Sequence, residues 1–146
     1  MDVLPLVSRI IHIFSAVALV GGWIFLLVGV LPALRLVEAS LTESIIELAA
    51  RKYYRVTHLA CVLLVVTGAY NWYLNLPIYR NEKIKAAINP LIGTKALIGI
   101  VIVMIVFLSA FKVLPGSPTR WAKVNLVLAT VVIILAAVVR QMRLSV

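Results

Sequence analysis

A run of about 25 uncharged, mostly apolar residues, from Ile10 to Leu34, limits the folds open to this chain more than any other feature. About 20 apolar residues in a helix are enough to cross the hydrocarbon layer of a bilayer. Glycine, which occurs three times in the run, is common in membrane helices. The run therefore predicts a transmembrane helix, and it carries one histidine, His12, just inside the apolar layer.

The composition extends this prediction to the whole chain. Its 146 residues are 64% hydrophobic, with a mean hydropathy of +1.13, whereas soluble domains contain about 45–50% apolar residues. The first apolar run is too long for the apolar region of a cleavable signal peptide. The net charge of +9 comes from basic residues at predicted helix ends and loops, where they anchor to headgroups. We therefore expect a polytopic membrane protein of one domain and no nucleic-acid partner.

Four apolar segments predict four transmembrane helices, at about residues 5–36, 42–76, 90–112 and 119–140. A capping-box pattern at Ser40 and Glu43 precedes the second helix, and Pro77 is expected to end it. Asn89 and Pro90 are a typical N-cap and first residue for the third helix. The short connections predict an all-α, antiparallel four-helix bundle with both termini on one side of the membrane.

Ionisable residues inside a bilayer are costly and usually functional. Away from the helix ends, the ionisable residues expected inside the apolar layer are His12, His58 and Lys95, and Asn71 and Asn125 are weaker polar candidates. A neutral imidazole is a good ligand for haem iron or another metal ion. The two histidines are therefore the candidate metal ligands.

Helical spacing places each histidine on a stripe of small residues. The first stripe consists of His12, Ser15, Ala16, Leu19 and Gly22, and the second of His58, Cys61, Val65, Gly68 and Trp72. We expect both stripes to face the bundle interior, where small residues allow close helix approach or leave a slot for a flat ligand.

The register of the first two helices predicts where the histidines lie. If the chain turns back near residues 39–41, His12 faces Gly68 and His58 faces Gly22. The histidines are then about 15 Å apart along the bundle, so we expect that they do not ligate one iron together. Gly22 and Gly68 are accordingly the predicted neighbours of a cofactor at either histidine.

Lys95 is expected at a depth similar to that of His12, because the first and third helices start on the same side. Its ammonium group would neutralise a cofactor carboxylate or act as an acid, or else extend to the headgroups. The alternative for His12 is an interior histidine hydrogen-bonded to a carbonyl or to Asn71, and for His58 a structural role is equally open. Cys61 is expected to serve packing.

With these residues in place, the chain resembles the four-helix membrane proteins of the copper-resistance protein D and HemJ type. The matching features are the helix that begins His12-Ile-Phe-Ser-Ala-Val-Ala-Leu-Val-Gly-Gly-Trp, the run Leu31-Pro32-Ala-Leu-Arg35, the pair Thr67-Gly68, and Lys95 early in the third helix. HemJ-type proteins are implicated in the oxidation of protoporphyrinogen and bind b-type haem through a histidine of the first helix. The resemblance implies that His12 is the haem ligand and that Lys95 is the essential lysine of that family.

We therefore predict a b-type haem protein of the bacterial inner membrane that transfers electrons or oxidises protoporphyrinogen. A second haem at His58, a membrane redox partner and a homodimer are further expectations. Two alternatives remain: a copper-handling or transport protein, and a non-catalytic membrane subunit. Copper(I) prefers sulfur ligands, and the single Cys and three Met of this chain are scattered along the sequence.

Overall fold

The computed structural model describes residues 3–34, 36, 38–79, 82–111 and 113–144. These ranges contain helices and turns and no strand, which confirms the predicted all-α class. The elements in order are α1 (Val3–Ile24), a π-helical segment (Phe25–Val30), α2 (Leu31–Leu34), α3 (Ala39–Tyr79), α4 (Glu82–Ala110) and α5 (Pro118–Leu144).

Four segments are long and apolar enough to cross a membrane: Val3–Leu34, Lys52–Leu76, Ile88–Ala110 and Thr119–Met142. α1 packs on α3, α3 on α4, α4 on α5, and α5 back on α1. The fold is therefore a closed antiparallel four-helix bundle, and the chain is a multi-pass integral membrane protein in contact with lipid. We call the end where α1 begins and α5 ends the terminal side, and the end where α2 ends and α5 begins the loop side.

The first membrane span is not a regular helix over its whole length. In the π-helical segment, the backbone N–H of Leu31 donates to the carbonyl of Leu26, five residues back. Pro32 follows directly and has no N–H to offer the preceding turn, so the usual helical register cannot continue unchanged there. The span ends at Leu34, slightly before the predicted end at residue 36. Arg35, the last residue of one matching run, lies outside the described residues.

Two proline-based predictions of helix ends are wrong. Pro77 does not end α3, which continues to Tyr79, and Asn89 and Pro90 do not begin α4, which starts at Glu82. Membrane helices tolerate proline because neighbouring groups satisfy the backbone atoms that it frees. The residues before Pro90 include Glu, Lys and Ala, which favour helices. The proposed capping box at Ser40 and Glu43 depends on side chains that lie outside the described part of the chain.

The bundle core receives side chains from all four spans. Its buried residues are Leu19, Trp23, Ala60, Cys61, Ile102, Val106, Ala122 and Ala129. Cys61 is a free thiol with no exposed surface, in agreement with its expected packing role. A smaller cluster, built on Ile88 and Val139, joins α4 and α5 near the terminal side.

Candidate functional site

His12 is held by a chain of two hydrogen bonds at the interface of α1 and α3. Its Nδ1 lies 2.8 Å from Oγ1 of Thr67, and the Thr67 hydroxyl donates to the carbonyl of Leu63 at 2.5 Å. A hydroxyl has one hydrogen to donate, so Thr67 must accept from the Nδ1–H of His12. In the neutral tautomer that carries this Nδ1–H, Nε2 is unprotonated, which is the form that ligates metals.

Gly68 provides the surface on which the His12 ring rests. A Cβ atom added at Gly68 would lie 3.3 Å from Cε1 of His12. The predicted contact of these two residues is therefore confirmed. The side chain that hydrogen-bonds to His12 is the neighbouring Thr67, and not Asn71. The backbone of Leu64 also hydrogen-bonds to the imidazole, in line with the expected alternative of a carbonyl partner.

Lys95 approaches the same region from α4. It is half-buried and lies within electrostatic range of His12, as expected for two residues at similar depth. Gly99 follows one helical turn later on the same face, and a Cβ added there would meet no atom within 4 Å. The structure therefore brings His12, Thr67 and Gly68 into contact, and the charge of Lys95 acts on His12 from α4.

His58 lies in a separate environment nearer the loop side. Its Nδ1 donates to the carbonyl of Tyr54 at 2.5 Å, because a carbonyl can only accept. Its ring packs edge-on against Phe107 of α4, with a centroid distance of 4.6 Å. Thr67, the partner of His12, is nine residues further along α3, or about 14 Å at 1.5 Å per residue. The two histidines are thus too far apart to share one metal ion.

The predicted pairing of Gly22 with His58 is wrong. A Cβ atom at Gly22 would overlap the ring of Tyr53, and the Tyr53 hydroxyl donates to the carbonyl of Leu19 at 3.3 Å. The Tyr53 side chain is long enough to reach Gly22 from another turn of α3 than the one that carries His58. It fills the space that the helical register assigns to His58. Gly22 therefore packs the α1–α3 interface.

The interior stripe of α3 also differs from the predicted one. Val65 and Trp72, placed on it by helical spacing, are 51% and 54% exposed. Between residues 57 and 71, the buried or half-buried positions are Thr57, His58, Ala60, Cys61, Leu63, Leu64, Thr67, Gly68, Tyr70 and Asn71. α3 contacts both α1 and α4, so its buried face is wider than one stripe, and it includes His58, Cys61 and Gly68 of the predicted stripe. Thr67 is part of the resemblance but not of the predicted site, although it directly precedes the glycine assigned to His12.

Four buried side-chain atoms have no hydrogen-bond partner within the described part of the chain. They are Oγ of Ser8, Oδ1 of Asn71, Oγ of Ser109 and Oδ1 of Asn125. The first two lie towards the terminal side and the other two towards the loop side. Buried polar atoms without partners are uncommon and usually mark a bound water, an ion or a functional group.

No group of three or more His, Cys, Asp or Glu side chains that could hold a metal ion occurs among the described residues. Comparison with protein-family models, with curated proteins and with solved structures finds no match to this chain.

Proposed function

We propose that this protein binds b-type haem through His12 and acts in membrane redox chemistry, as its resemblance to the HemJ type implies. The observation that supports this most is the state of His12. In the tautomer whose Nδ1–H donates to Thr67, Nε2 has a lone pair for iron. A metal-binding histidine is commonly held in this way by a second residue that receives its other N–H.

The other residues around His12 fit an amphipathic macrocycle that carries carboxylates. Lys95 supplies a positive charge within electrostatic range of His12, and Gly99 leaves open space on the same face of α4. The apolar core begins at Leu19 and Leu64, where it excludes water. When bound, haem would supply reversible one-electron redox chemistry.

The proposed role of Lys95 follows from its charge and depth. Its ammonium group would either bind a carboxylate of the cofactor or substrate, or donate a proton during porphyrinogen oxidation. The chain has only two histidines, and they lie too far apart to bind one iron. The haem at His12 is therefore proposed to be five-coordinate, or to take Lys95, a water or a residue of a partner chain as its sixth ligand.

The cellular setting is part of the same proposal. We place the protein in the bacterial inner membrane, where a membrane redox partner would exchange electrons with it. A chain of 16.0 kDa offers little room for a large substrate site, so a homodimer that completes the site is proposed as well.

The visible spectrum of the purified protein tests this function directly. After expression with added haem precursor and purification in mild detergent, we expect a Soret band that shifts and sharpens on reduction with dithionite. Porphyrinogen oxidation by the coloured preparation would then separate the enzymatic role from electron transfer alone. A colourless protein would contradict the proposal, and tight copper binding by that sample would favour the metal-handling alternative.

Replacing Thr67 with valine is expected to weaken haem binding about 10–100-fold, because the second residue that orients a metal-binding histidine has an effect of this size. The affinity is measured by titrating the apoprotein with haem and following the Soret band. The Thr67→Ser variant keeps the hydroxyl and should bind haem nearly as tightly as the wild type.

Thr57→Val is the matched control for this prediction. Thr57 is also buried on α3, and its hydroxyl donates to the carbonyl four residues earlier, that of Tyr53. This variant therefore loses the same kind of backbone hydrogen bond without touching His12. Equal weakening in the Thr67→Val and Thr57→Val variants would show that Thr67 acts only on helix stability.

A further inference from the structure

The two unpartnered atoms on the terminal side flank the His12 site. Ser8 precedes His12 by four residues on α1, and Asn71 follows Thr67 by four residues on α3. Residues four apart lie one turn apart on the same face of a helix. Because α1 and α3 are antiparallel, both residues are displaced from the His12–Thr67 contact in the same direction, towards the terminal side, by about 6 Å.

Both side chains carry buried polar atoms that are available to bind a ligand. Ser8 is 6% exposed and its Oγ has no partner, and Oδ1 of Asn71 is also buried without one. A hydroxyl donates one hydrogen bond, and an amide that turns about its last bond presents either two donors or an acceptor. The unused groups are therefore a hydroxyl, which can donate, and an amide oxygen, whose place the amide hydrogens take when the Asn71 side chain turns.

The polarity on the two sides of His12 is unequal. On the terminal side lie Ser8 and Asn71. On the loop side lie the buried core residue Leu19 and the partly buried Leu64 and Ile98, which pack against the core. Of these, Leu64 is three residues before Thr67, and Ile98 is three after Lys95. A ligand centred at His12 would thus meet apolar side chains at one edge and unsatisfied polar groups at the other.

The charge at this depth favours an anion. Lys95 lies within electrostatic range of His12. All five acidic residues of the chain, Asp2, Glu38, Glu43, Glu47 and Glu82, lie outside the four spans. A carboxylate that enters the site is therefore attracted by an ammonium group and is not repelled by a carboxylate of the spans.

We propose that Ser8, Asn71 and Lys95, here called the terminal-side cluster, bind the carboxylate groups of the ligand held by His12. The proposal rests on the proposed function and adds the orientation of the ligand, whose carboxylates point to the terminal side and whose apolar edge enters the core. Ser8 donates its hydroxyl hydrogen, Asn71 donates its amide hydrogens, and Lys95 neutralises the charge. A hydrogen bond to a charged group is stronger than a neutral one.

The test compares haem with haem dimethyl ester, in which both carboxylates are methylated. Apoprotein in detergent is titrated with each compound, and the affinity is followed by the Soret band. We expect the wild type to bind haem more tightly than the ester. The double variant Ser8→Ala, Asn71→Leu should lose about tenfold or more in affinity for haem, and much less in affinity for the ester.

The chain contains a matched control at its other end. Ser109 and Asn125 also have buried, unpartnered oxygen atoms, but they lie on α4 and α5 towards the loop side. The double variant Ser109→Ala, Asn125→Leu carries the same chemical changes and should keep the wild-type preference for haem over its ester.

Three results would overturn the proposed orientation. The first is a wild type that binds haem and the ester equally, and the second is an equal loss of both ligands in the Ser8, Asn71 double variant. The third is a wild type that binds neither compound, and this alone would also contradict the proposed function. The first two leave haem binding at His12 intact, so failure of the orientation is distinguishable from failure of the function.

Discussion

Replacing His12 with alanine is expected to remove the Soret band completely, whereas His58→Ala should leave it in place. Nε2 of His12 is the proposed ligand atom, and its loss leaves the iron without its protein ligand. His58 provides the matched control, because it is the same side chain about 14 Å further along the bundle, bonded to the Tyr54 carbonyl and packed on Phe107. Haem content per chain and the reduced spectrum measure the outcome.

A chemical rescue distinguishes lost ligation from lost folding in the same experiment. His12→Gly leaves room at the interface with Gly68, so added imidazole should restore the Soret band of that variant. A band that persists in His12→Ala and disappears in His58→Ala would assign the haem to the other histidine. Loss of half the haem in each variant would indicate two haem sites and confirm the expectation of a second site.

The fold and part of the candidate site could be predicted because they depend on simple spacing. The length of the apolar runs defines the four spans, since a helix rises 1.5 Å per residue and the bilayer has a fixed thickness. The same constant rise in two antiparallel helices predicts the contact of His12 with Gly68, which the structure contains. These predictions need no knowledge of side-chain orientation.

The remaining features depend on side-chain reach and on neighbours that spacing does not describe. Tyr53, and not His58, covers Gly22. A long side chain reaches residues of the neighbouring helix that lie above or below the height of its own Cα atom. The orientation of His12 depends on the Thr67 hydroxyl, which lies within hydrogen-bond distance of both His12 and the Leu63 carbonyl. Proline often occupies the first position of a helix in soluble proteins, so Pro90 is predicted to begin a helix. It lies instead inside α4.

The contact of Gly22 with Tyr53 leads to the second large prediction, which concerns stability. Gly22→Leu is expected to destabilise the bundle, because even a Cβ atom at this position would overlap the Tyr53 ring and force it to turn aside. Adding one methylene to a packed core costs about 1–3 kcal/mol, and leucine adds more than one. The displaced Tyr53 would also lose its hydrogen bond to the Leu19 carbonyl. Thermal unfolding in detergent, followed by circular dichroism, measures the effect.

The neighbouring glycine gives this prediction a close control. Gly21 is exposed, and a Cβ added there would meet no atom within 4 Å, so Gly21→Leu should unfold near the wild-type temperature. The cost at Gly22 should fall when Tyr53 is also changed to alanine, because the leucine then fills the vacated space, and this coupling identifies the pair. Similar unfolding temperatures for Gly21→Leu and Gly22→Leu would mean that Tyr53 does not pack on Gly22 in the folded protein in detergent. The space at Gly22 would then be free for His58 or a cofactor, as the helical register alone predicts.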